Sequence, residues 1–168
     1  MRNHMHTRHY FKLSLYGFVA GFLATLTVHQ FALWLLRQAG IAPFAPYNMT
    51  PTHPFGLPAV ISLAFWGGVW GILLALFQRR LTGGSRYWFN VFVFGAVYPS
   101  LVALLIVAPL KGHPIGGGWH WQLLVTAFVI NGVWGLGTGG LVRWMFKRPE
   151  THETQQLSDP ECSPGLAC

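Results

Sequence analysis

The chain has 168 residues, of which 52% are hydrophobic, 15% aromatic and only 9% charged, with a formal net charge of +7. Soluble domains carry about 25% charged residues, so a chain this poor in charge cannot cover a water-facing surface, and lipid is the solvent its surface fits. The basic balance does not indicate nucleic acid, because the cations sit singly or in small groups at the ends of apolar runs, the pattern of membrane flanks.

The first twelve residues form a basic arm containing Arg2, Arg8 and Lys12, together with His4, His6 and His9. It is expected to be mobile and to lie near anionic headgroups. The His4-Met5-His6 tract is also a weak metal-binding pattern.

The first apolar run, 13–36, is predicted to be a membrane helix. A basic flank before an apolar run also describes a secretory signal, and Ala42 to Ala45 reads Ala-Pro-Phe-Ala. The run is longer than the 7–15 residues of a typical signal core, which favours an uncleaved span. Within it Gly17, Gly21, Thr25 and His29 recur at steps of four and share one slowly drifting face. Such a small, polar stripe is expected to face protein.

A loop with His53-Pro54-Phe55-Gly56 leads to the second run, 57–77, which contains Gly68-Val69-Trp70-Gly71. Arg79, Arg80 and Arg86 precede the third run, 88–110. Pro99 is expected to disturb that helix, with Ser100 or a neighbouring helix satisfying the freed carbonyl. A second His-Pro-x-Gly, His113 to Gly116, and then His120 precede the fourth run, 121–146, with Gly132-Val133-Trp134-Gly135. The polar segment 147–168 holds Pro160, Pro164 and Gly165, both cysteines (Cys162, Cys168) and all four acidic residues, and is expected to be disordered.

Each run is long enough to cross about 30 Å of hydrocarbon as a helix, so the expected fold is all-α and integral to the membrane, with four transmembrane helices over 13–146. Lys and Arg on one side are Arg2, Arg8, Lys12, Arg79, Arg80, Arg86, Arg143, Lys147 and Arg148; the other side has Arg37 and Lys111. The positive-inside rule places both termini in the cytoplasm, in a bacterial inner membrane. The recurrence of His-Pro-x-Gly and Gly-Val-Trp-Gly in the same order reads as two tandem helical hairpins in parallel orientation.

Helices in lipid associate through close packing, which small residues permit. Gly17 with Gly21, Gly67 with Gly71, and Gly135 with Gly139 are such patterns. They serve either the packing of this bundle or association with other membrane proteins or a second copy of the chain. Trp70 and Trp134 are expected near mid-membrane, as a symmetric pair of core aromatics or as a wall for a ligand or quinone ring.

Imidazole ligates zinc, copper and haem iron. His29 and His120 are candidates for holding a haem within the bundle, and His53 and His113 are candidate metal ligands in equivalent loops. His-Pro-x-Gly is equally a turn, since Pro and Gly both favour one, and His29 is equally a neutral histidine bonded to a neighbouring helix. No carboxylate precedes Glu150, which excludes an intramembrane Ser-His-Asp triad and counts against cation-coupled transport. No Walker loop, GxSxG or HExxH occurs. The leading expectation is a non-enzymatic accessory or interaction subunit of a membrane assembly. The alternatives are a haem- or metal-binding redox protein using these histidines, and a small pore or carrier for a neutral or anionic solute.

Overall fold

The computed structural model describes residues 2–53, 55–78 and 84–146, with side chains described from Tyr10 onward. The polar tail, Pro54, Arg79 and Arg80 lie outside the described residues. Four helices are long and apolar enough to cross a membrane: span 1, Tyr10–Gln38; span 2, Ala59–Phe77; span 3, Ser85–Leu110; and span 4, Trp121–Phe146. Between 33% and 44% of each apolar window is buried inside the molecule, so most of it faces outward. The protein is a mostly helical membrane protein.

Helical structure begins at Arg2 (α1, Arg2–Ala24), so the basic arm continues span 1 instead of standing apart from it. Nothing in its sequence interrupts a helix already formed: the first Gly is Gly17 and the first Pro is Pro43. Span 1 then passes through a π-helical turn, Thr25–His29, before resuming as α2, Gln30–Gln38. Span 2, expected from 57, is a single helix α3 (Ala59–Phe77), because Leu57–Pro58 (β2) is taken up in a two-residue antiparallel pair with Pro51–Thr52 (β1). Span 3 consists of α4 (Ser85–Val102), a second π turn at Ala103–Val107, and α5 (Ala108–Leu110). Pro99 lies inside α4. A proline donates no backbone hydrogen bond, and here the helix continues past it into a π turn. Span 4 is one unbroken helix, α6 (Trp121–Phe146).

Span 1 packs chiefly along span 2, and span 3 along span 4, while span 4 also lies against span 1. Two buried apolar clusters fix these relations. Leu13, Ala20, Ala75 and Val142 join spans 1, 2 and 4. Leu74, Tyr87, Val91 and Phe94 join spans 2 and 3, with Trp70 and Leu136 against them. One end of the bundle carries Lys12, Arg86 and Arg143 and is called the basic end; Arg37 and Lys111 lie at the opposite end. The other carries His53, His113 and His120 and is called the histidine end.

Candidate functional site

Glycine seams bring the helix backbones together. A Cβ placed on Gly17 would lie 2.6 Å from the Gly71 carbonyl oxygen and 2.7 Å from the Ala75 Cβ. A Cβ on Gly21 would run into the Gly67 carbonyl oxygen, and one on Gly71 into that of Gly17. Gly67 sits against the Thr25 hydroxyl. The two GxxxG patterns of spans 1 and 2 thus face each other. In spans 3 and 4, Gly135 meets the Val91 carbonyl and Gly95 meets the Asn131 carbonyl, while Gly139 lies against Tyr87 and Val91.

Gly95 carries no weight in a search for GxxxG, but a different signal marks it. Phe18-Val19-Ala20-Gly21 recurs as Phe92-Val93-Phe94-Gly95. The contacts follow the same correspondence: Gly68 abuts the Phe18 ring and Gly132 abuts the Phe92 ring. The turn motif recurs in conformation as well, with φ of +65° at Gly56 and +66° at Gly116, a region that favours glycine.

Polar side chains inside the bundle connect one helix to another. The Gly21 carbonyl accepts hydrogen bonds from the Thr25 hydroxyl (2.8 Å) and from Trp134 Nε1 (3.0 Å). Ser100 donates to the Ala127 carbonyl (3.0 Å) and accepts from Asn131 Nδ2 (3.0 Å), so its hydroxyl ties span 3 to span 4 and does not serve the carbonyl that Pro99 frees. Tyr87 Oη lies 2.8 Å from the Gly139 carbonyl and 2.7 Å from the Gln78 side-chain amide. A phenol has one proton to donate. Both bonds therefore form only when Gln78 presents its NH2 to Oη while Tyr87 donates to Gly139, which links spans 2, 3 and 4. Arg143 lies over the same ring at 5.3 Å. Among the described residues, the hydroxyls of Thr126 and Thr138 are buried without a partner.

The two motif tryptophans differ. Trp134 is 2% exposed and bonded to span 1, whereas Trp70 is half-buried, packs edge-on against Phe94 and makes no hydrogen bond among the described residues. The two are not equivalently placed: Trp134 is buried against span 1, whereas Trp70 meets Phe94 of span 3 and stays half-buried.

His29 is 4% exposed, and Gly17, Gly21 and Thr25 on its stripe are also buried. Steps of four drift in an α-helix of 3.6 residues per turn. The wider π turn at Thr25–His29 offsets that drift and keeps His29 inward beside the buried Gln30. Its Nδ1 lies 3.5 Å from Gln30 Nε2, a partner on the same helix and not on a neighbouring one.

The depth of His29 follows from the glycine register. Gly17 stands opposite Gly71 and Gly21 opposite Gly67; continued upward, this register sets His29 level with Ala59, the first residue of span 2. Span 2 has 19 residues, about 28 Å, close to the hydrocarbon thickness. His29 therefore stands level with the start of span 2, nine residues before the end of span 1 at Gln38. His53, His113 and His120 are exposed. Among the described residues, no group of three or more His, Cys, Asp or Glu side chains is placed to hold a metal ion.

No protein-family model, curated protein or solved structure matches the chain.

Proposed function

We propose that the protein is a non-enzymatic accessory subunit of a bacterial inner-membrane assembly, built as two tandem helical hairpins with both termini in the cytoplasm. One observation carries this reading: the glycine seams and the side chains of Ser100, Asn131, Tyr87 and Trp134 are committed to joining helix to helix. An interior used this way is a scaffold, and the surface left to act is the outward one. That surface is rich in large aromatics, including Phe65 and Trp66 on span 2 and Phe89 and Trp144 on spans 3 and 4.

The tandem-hairpin reading is supported by three sequence matches in the same order (Phe-Val-x-Gly, His-Pro-x-Gly, Gly-Val-Trp-Gly) and by the parallel contacts at Gly68 and Gly132. The distribution of Lys and Arg supports the cytoplasmic termini.

A photo-crosslinker at Trp66 tests the interaction in intact cells. The expected outcome is one discrete adduct heavier than the chain, absent when the probe is placed at the buried Leu74. A smear at both positions contradicts the proposal.

A second reading, a haem- or metal-binding redox protein, is favoured by one observation: His29 is a buried imidazole on a π turn, a feature often found at functional sites. A visible spectrum and metal content measured on the purified protein, with His29→Ala beside it, test that reading. A Soret band or stoichiometric metal lost in the variant supports it, and equal content in both removes it.

A further inference from the structure

The two hairpins differ most at the histidine end. In the second, only Lys111 and Gly112 separate the helix end from His-Pro-x-Gly; in the first, the stretch is Ala39–Thr52. This additional segment does not extend away from the bundle. It folds back along span 1 and stitches spans 1 and 2 together. The Tyr47 amide donates to Gln30 Oε1 (2.9 Å), and Tyr47 Oη donates to the Leu26 carbonyl (2.9 Å). One residue on, the Asn48 carbonyl accepts the Val60 amide, and the Thr50 carbonyl accepts the Ala59 amide, both at 2.9 Å.

Three features mark this segment. Tyr47 holds φ at +51°, a costly conformation for a bulky non-glycine side chain, shared among the described residues by Trp119 (φ +59°) in the other hairpin's loop. The Gln30 amide that Tyr47 engages also faces His29, through Nε2 and Nδ1. Finally, the Phe-Val-x-Gly alignment puts Ala103 at the place of His29 and Leu104 at that of Gln30. The segment and the polar pair beneath it thus occur together in one hairpin and are both missing from the other.

We propose that the Ala39–Thr52 segment is a strap latched by Tyr47, and that its release uncovers the His29–Gln30 pair to water at the histidine end. Closed, the strap occupies the Gln30 carboxamide and the Leu26 carbonyl. Open, it frees the carboxamide that the imidazole faces and exposes both. The strained backbone at Tyr47 lowers the cost of opening, and left-handed Gly40 (φ +71°), with open space around it, allows rotation where the strap leaves span 1. The proposal depends neither on the accessory-subunit reading nor on which side of the membrane the strap faces.

Maleimide labelling of full-length protein in lipid nanodiscs, where both faces are accessible, tests it. The parent carries Cys162→Ser, Cys168→Ser and His29→Cys. Labelling at position 29 should be slow in the parent and about fivefold faster after Tyr47→Phe, which removes one hydrogen bond and keeps the ring. Cysteine at the exposed Phe55 (83% exposed) should label at the same rate in both backgrounds, and cysteine at the buried Leu74 should stay unlabelled in both. Equal rates at position 29 with and without Tyr47→Phe overturn the strap. So does a matching rise at Leu74, since Tyr47 would then be holding the whole bundle together. Tyr47→Ala gives a second reading: it should label at least as fast as Tyr47→Phe, and slower labelling also overturns the latch.

Discussion

Gly21 carries more than one role. Its missing Cβ lets span 2 approach, and its carbonyl holds both Thr25 and Trp134. A methyl group added there meets helix backbone, which cannot swing aside as a flexible side chain can. Gly21→Ala should destabilise the protein by about 1–3 kcal/mol, as overpacked cores do. Gly140, whose added Cβ would lie 3.6 Å from Trp88, offers the comparison: Gly140→Ala should stay within about 0.5 kcal/mol of the parent. Thermal unfolding of both variants in one detergent checks the pair. The tryptophans give a second contrast. Trp134→Phe removes a buried donor and should cost about 1 kcal/mol more than Trp70→Phe, which loses no hydrogen bond. Equal losses would mean that Trp134 acts by packing alone.

At the scale of elements, the hydrogen bonds that join helices are expected to be individually weak, because helices separated in a membrane also find polar partners. A double-mutant cycle on Ser100→Ala and Asn131→Leu should return a coupling of about 0.6 kcal/mol. No coupling would mean that the two side chains act independently. The spans themselves were legible in the sequence: long apolar runs leave few alternatives to a helix, and span 4 has the same limits, 121–146, in sequence and structure. The start of span 2 shifted by two residues because the strand pair at Leu57–Pro58 depends on where the loop folds. The π turns were not legible, since they arise from how a helix fits its neighbours. The partners of Ser100 and Trp134 were hidden for the same reason: which helix lies alongside is not written in either span. Gly95 was legible through the recurrence of Phe-Val-x-Gly, a signal that a search for paired glycines passes over. The burial of His29 was legible from its inward stripe, whereas which residue of span 2 stands level with it depends on the register between two helices.

At the scale of the whole molecule, four membrane-length helices pack span 1 on span 2 and span 3 on span 4 along glycine seams, with exposed aromatics around them and the proposed strap over one end. Such a scaffold is proposed to work by association. Native mass spectrometry of the protein extracted in mild detergent tests this most directly. The account predicts a mass equal to the 18.7 kDa chain plus a distinct protein at a fixed whole-number ratio, unchanged across preparations. A solitary chain of 18.7 kDa that stays folded and carries nothing stoichiometric with it would contradict the account.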